Sequence, residues 1–270
     1  MTRIITVTSG KGGVGKTTSS AALATGFAQK GHKTIVIDFD IGLRNLDLIM
    51  GCERRVIYDF INVINGDASL NQALIKDKRT ENLFILPASQ TRDKSALTKL
   101  GINNIFCELI EMKFDIIICD SPAGIESGAV LAIYFADEAI ITTNPEISSI
   151  RDSDRMLGII SSTSKRSKDK CDPIKEYLLL TRYDPVRVSQ GEMLSVQDIL
   201  DILRIPLIGV IPEDSFVLRS SNQGKSVILH PTSNAGQAYC DTVKRLLGQQ
   251  VPLRFIKKEK ESFFKRLFRR

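Results

Sequence analysis

Gly10-Lys11-Gly12-Gly13-Val14-Gly15-Lys16-Thr17 fits G-x-x-x-x-G-K-[ST], a spacing suited to holding a polyphosphate. Glycines let the backbone wrap closely around a phosphate chain and aim its N–H groups inward. A helix opening at Lys16 adds the positive end of its dipole. Lys16 can reach the β and γ phosphates, the Thr17 hydroxyl can ligate Mg²⁺, and Thr18 completes the loop. Two acidic stretches accompany it, Asp38-Phe39-Asp40 and Asp120-Ser121-Pro122-Ala123-Gly124. A carboxylate at either place can hold Mg²⁺ or orient the water that attacks a γ phosphate. An isolated Asp at a strand end more often caps a turn. Beside a complete phosphate loop, function is preferred for Asp40 and Asp120, and Asp38 is kept as a metal candidate. Base recognition favours ATP over GTP, because Leu180-Thr181-Arg182-Tyr183-Asp184 lacks the Asn and Lys of an N-K-x-D guanine segment. Arg182 and Pro212-Glu213-Asp214 are candidates for contact with the base by position only.

The elements that must position these groups alternate. Ile4–Thr8, Thr34–Asp38, Asn82–Leu86, Phe114–Asp120, Glu138–Thr142, Glu176–Thr181 and Leu207–Ile211 read as short buried strands. Thr17–Lys30, Asn103–Lys113, Ser148–Ser161, Ser195–Leu203 and Asn234–Leu247 read as amphipathic helices. That order predicts an α/β, three-layer, doubly wound and mainly parallel sheet. Ligands then bind beyond the carboxyl ends of the strands, where both acidic stretches and the glycine-rich loop fall. The polar run Ser161–Asp172 is expected to be an exposed loop. No repeat or low-complexity segment interrupts the pattern. Residues 1–250 read as one domain and 251–270 as an appended segment, with the break at Gly248–Pro252.

Charge separates these two parts. Of the net +6, all but one unit lies in Phe255–Arg270, where seven Lys/Arg face two Glu. Ile256, Phe263, Phe264, Leu267 and Phe268 fall on one side of a helical wheel, flanked by basic residues including Lys257, Lys265 and Arg266. Such a basic, aromatic-anchored amphipathic helix suits a membrane interface; the competing reading is a helix docked on the core. The chain opens on an apolar run and a glycine-rich loop, so no secretory signal is expected. No apolar stretch reaches the ~18–20 residues of a membrane span. The five cysteines are scattered singly and only two histidines are present, which argues against a zinc site and for reduced, mostly buried thiols.

The form Lys11-Gly-Gly-Val-Gly-Lys16-Thr17 resembles the deviant Walker A family of dimeric P-loop ATPases. The resemblance implies that Lys11 crosses to the nucleotide of a partner subunit, much as an arginine finger does. It also makes Asp40 the residue that positions water, Asp120 the magnesium-side carboxylate, and the Gly124 N–H a sensor of the γ phosphate. The runs Asp38–Asp47, Leu86–Asp93, Thr142–Glu146 and Arg151–Arg155, together with the basic end, look like the division-site-selection branch of that family. Membership there implies an ATP-dependent homodimer with Mg²⁺, cytoplasmic with ADP and peripheral on the inner membrane with ATP. It further implies recruitment of the division inhibitor MinC and release when MinE stimulates hydrolysis. Asp152 and Asp154 belong either to the partner surface or to a solvated helix end. A DNA-partition ATPase shares the loop but needs a basic body, whereas this body is nearly neutral. An iron–sulfur carrier needs cluster cysteines. A membrane scaffold would bind ATP with little turnover.

Overall fold

The computed structural model describes residues 2–90, 96–168 and 172–256. The first half runs β1 (Arg3–Thr8), α1 (Lys16–Gln29), β2 (Thr34–Asp38), α2 (Leu46–Met50), α3 (Phe60–Asn65) and α4 (Leu70–Ala73). It continues through β3 (Ile75–Lys76), β4 (Leu83–Leu86), α5 (Lys99–Glu111), β5 (Ile116–Asp120), α6 (Ser127–Tyr134) and β6 (Glu138–Thr143). The second half holds α7 (Ile147–Thr163), α8 (Lys165–Lys168), β7 (Lys175–Tyr183), α9 (Pro185–Ser189) and α10 (Val196–Leu203). It ends with β8 (Leu207–Pro212), α11 (Ser215–Asn222) and α12 (Asn234–Leu246).

The strands form one sheet in the order β3-β4-β2-β5-β1-β6-β7-β8. Every pairing is parallel except that of the two-residue edge strand β3 with β4. The mainly parallel, doubly wound sheet expected from the alternation is therefore present. Period-two side-chain alternation gives the sheet two buried faces. Val36 and Ile118 join α1 and α12 on one side, while Ile35, Ile37, Ile117 and Cys119 pack with α3 and α5 on the other. Helix α1 is buried along almost its whole length, from Ser19 to Ala28. It lies between the sheet and α12, which explains its run of small and apolar residues rather than a polar stripe.

Two local expectations are corrected. The run 161–172 is not wholly a loop: α7 continues to Thr163, and α8 follows Ser164. Serines and lysines are adequate helix formers when an amphipathic helix with buried Ile150, Met156 and Ile160 already exists to extend. Helix α5 starts at Lys99 rather than Asn103, because the Thr98 hydroxyl caps the Gly101 N–H.

Candidate nucleotide site

The glycine-rich loop leaves β1 at Thr8 and enters α1 at Lys16, with Gly15 at the N-cap in the left-handed region (φ 92°). That dihedral is inexpensive only for glycine. Ser9 organises the loop: its hydroxyl donates to the Lys11 carbonyl (2.7 Å) and accepts from Lys16 Nζ (2.9 Å). Thr181, at the carboxyl end of β7, donates to the Val14 carbonyl (2.7 Å) and lies 2.9 Å from Asn144 Oδ1. Sequence reasoning gave neither Thr181 nor Asn144 this role, since a buried polar side chain that holds a loop has no spacing signature.

Parallel register brings the acids to the same edge. Asp120 pairs across the sheet with Val7 of β1 and with Asp38 of β2. Asp120 is 1% exposed, and its carboxylate accepts from the Ser20 hydroxyl (2.8 Å) and from Thr17. Burial pushes its pKa up to about 6, opposed by those two hydroxyls and by the Lys16 ammonium. Burial likewise lowers the pKa of Lys16, opposed by the charges of Asp120 and Asp40. Asp38 is held well above the usual carboxylate range by burial and by the neighbouring Asp120. Its oxygens accept the backbone N–H groups of Asp40 (2.9 Å) and Leu46 (3.3 Å), so Asp38 shapes the turn that presents Asp40.

A cleft of about 640 Å³ opens beyond these strand ends, and Gly12 to Gly13, Gly15 to Thr18 and Asp40 line it. Leu43, Asn45, Leu48 and Ile49 wall one part, and Ser221 and Asn222 another. A buried ammonium, a hydroxyl poised at a carboxylate and inward backbone amides at a helix start form a donor set that fits a magnesium-bound nucleotide.

The remaining expected site residues lie around this cleft or apart from it. Lys11 points away from this cleft, its Nζ 3.2 Å from Glu146 Oε2 and 3.3 Å from Ser148 Oγ at the start of α7. The Gly124 N–H donates to the Ser9 carbonyl (3.0 Å), tying the loop after β5 to the phosphate loop. Arg182 lines the cleft with a left-handed backbone (φ 52°) and an exposed side chain. Pro212 is buried opposite Tyr183 and is not part of the lining, while Asp214 caps α11 and accepts from Ser233 and Ala235. Ile256 packs half-buried against the cluster of α10, β7 and β8. Phe263, Phe264, Leu267, Phe268, Lys257, Lys265 and Arg266 lie outside the described residues. Cys119 is fully buried, and the described residues hold no group of three or more potential metal-ligating side chains of the His, Cys, Asp and Glu types.

Comparison with known proteins agrees with this geometry. A family profile described as an AAA domain matches residues 2–172. The septum site-determining protein MinD of Buchnera aphidicola is 78% identical over 270 residues, covering 100% of both chains. Among solved structures, MinD in the MinC:MinD complex of Aquifex aeolicus superposes with a TM-score of 0.84 at 41% identity, over 94% of this chain and 100% of that one. MinD of Pyrococcus horikoshii, solved with Mg-ADP, superposes with a TM-score of 0.79 at 30% identity, over 91% and 96%. Phosphate loop, paired acids, strand order and full-length similarity converge, and the chain belongs to the MinD family of septum site-determining P-loop proteins.

Proposed function

We propose that the chain is an ATPase switch for division-site placement, dimeric and membrane-bound with ATP and released by hydrolysis. The observation that carries this reading is the convergence of Lys16, Thr17, Asp120 and Asp40 at one cleft on the carboxyl edge of the sheet. Lys16 and the loop amides hold the β and γ phosphates. Thr17 and Asp120 would hold Mg²⁺, which would neutralise charge on those phosphates. Asp40, presented by the Asp38 turn, orients the attacking water. Arg182 lines the same cleft and is the candidate for contact with the base.

The second lysine completes the site in trans. Its Nζ contacts are exposed ones, with 42% of the Lys11 side chain and 51% of that of Glu146 accessible. Exchange of such a surface pair costs roughly 1 kcal/mol or less, so a partner's γ phosphate can draw Lys11 away from Glu146. Charge developing on the transferred phosphoryl then meets Lys16 from one subunit and Lys11 from the other.

The basic segment after Ile256 supplies the membrane contact. Its basic and aromatic residues suit an interfacial mode. Each basic residue near anionic lipid adds roughly 1 kcal/mol, and partial burial of each large apolar side chain adds something below ~1.5–3 kcal/mol. Ordering the segment offsets much of that sum. One tail holds weakly, and two on an ATP-bound dimer hold far better. The chain is thus cytoplasmic with ADP and on the cytoplasmic face of the inner membrane with ATP. The relative solved with MinC supports recruitment of that inhibitor, and MinE is the expected stimulator of hydrolysis and release. Co-sedimentation with anionic liposomes tests the switch: binding with ATP and not with ADP is expected, and deletion of residues 257–270 should abolish it while ATP binding persists. Binding indifferent to nucleotide would reduce the tail to a constitutive anchor.

A further inference from the structure

Arg245, in the last turn of α12, spends all three guanidinium nitrogens on main-chain carbonyls. Its Nε donates to Val251 (2.7 Å), Nη1 to Ile208 (2.9 Å) and Nη2 to Pro252 (2.8 Å). The planar fork thereby bridges the amino end of β8 and the chain returning from α12. Arg254 reinforces the return, donating to buried Asp241 (3.0 Å) and to Gln237 (3.2 Å). Leu253 and Ile256 pack on the cluster of α10, β7 and β8, and Phe255 packs on that of α1 and α12. Residues 249–256 have no regular secondary structure, yet these side chains fasten them to the body. The fastening lies at the amino end of edge strand β8, across the sheet from the nucleotide cleft.

We propose that Arg245 is the positioning residue of the membrane-binding segment, fixing where the chain leaves the body after Ile256 so that the two segments of an ATP-bound dimer meet one lipid surface together. This rests on the membrane reading of residues 257–270. Without the clamp, residues 249–256 become a tether whose ends wander over about 15 Å, taking ~5–6 Å times the square root of its length. Effective concentration then falls, about threefold for each doubling of flexible length. The gain from the second segment shrinks, although no lipid-contacting residue has changed.

The test uses the full chain with ATP and vesicles of phosphatidylglycerol and phosphatidylethanolamine. Arg245→Met keeps the apolar stem and removes the fork. A flexible Gly/Ser insertion of about sixteen residues after Ile256 leaves every bond of the clamp intact but frees the segment from its root. Both should weaken ATP-dependent vesicle binding by about threefold or more, with ATP affinity in solution unchanged, and Arg245→Lys should fall between. The insertion tests whether the position of the segment matters, and Arg245→Met whether Arg245 sets that position; a folded Arg245→Met that binds vesicles as the unmodified chain does overturns the inference. If the unmodified chain sediments and the insertion variant binds equally well, the inference is overturned alone. If the unmodified chain does not bind vesicles, the membrane reading falls and takes the inference with it. Should Arg245→Met fail to fold, Arg245→Lys decides, and binding by it equal to that of the unmodified chain overturns the inference.

Discussion

Asp120 sits where two demands conflict. The fold buries it fully between β1 and β2, which favours the neutral acid, while the magnesium site proposed for it needs the anion. Ser20, Thr17 and Lys16 recover part of the cost, leaving the pKa at about 6. The folded value lies above the ordinary carboxylate value near 4, so between these values the folded protein binds more protons than the unfolded chain. The nucleotide-free protein should therefore gain stability as pH falls from about 6 toward 4, with Asp38 acting in the same direction. Magnesium-dependent ATP binding should do the opposite, weakening by up to ~10-fold per pH unit below about 6 as the anion is lost. Titration calorimetry at several pH values, with Mg²⁺ and with a chelator, separates the two effects. Asp120→Asn should flatten the magnesium-linked slope and reduce affinity at neutral pH; an unchanged slope would remove Asp120 from the metal site.

Elements impose their own constraint on the phosphate loop, through helix α7. A Cβ at Gly10 would lie 2.2 Å from the Asp152 carbonyl oxygen, inside α7, whereas at Gly12 the nearest atom is Ala123 Cβ at 4.0 Å. Gly10→Ala must therefore push the loop and α7 apart, a shift expected to cost about 1–3 kcal/mol. Gly12→Ala should cost well under that in the nucleotide-free protein. Thermal unfolding of the two variants gives the comparison, and equal melting temperatures would contradict the close approach. The need for glycine at position 10 was legible in the motif, but its second cause, a helix from far along the chain, was not. The same holds across the fold. Seven strands were readable as continuous Ile, Leu and Val runs, because a parallel sheet buries both faces. Strand β3 was not readable, being two residues long and defined only by its antiparallel partner Phe84–Ile85. Helix α6 was hidden because Ser-Gly-Ala-Val-Leu-Ala-Ile-Tyr has no polar face to give it a period. The phosphate loop and its acids were legible because chemistry restricts those residues. The cleft walls Leu43, Leu48, Ser221 and Asn222 were not, since only tertiary folding assembles them.

At the scale of the whole molecule the nucleotide edge and the tail root lie on opposite sides of one sheet. Association links them without deforming the fold. Two subunits joined through their nucleotide sites carry two tails, so occupancy becomes avidity. The premise is that Lys11 works on the partner's nucleotide, and mixed dimers can decide it. Lys11→Ala leaves Lys16, Thr17 and Asp40 in place but removes the crossing cation. Asp40→Ala keeps both lysines but loses the residue proposed to orient water. Each variant alone should hydrolyse ATP poorly, even with membrane and stimulator present. In an equimolar mixture, the mixed dimer contains one site with an intact Asp40 and a Lys11 from its partner. Turnover should then recover to at most about a quarter of the unmodified rate, since about half the dimers are mixed and each holds one complete site. If Lys11 instead served the nucleotide of its own subunit, no site in the mixture would be complete and no activity would return. Recovery in the mixture, with neither variant active alone, would place the two lysines of one catalytic centre on different chains.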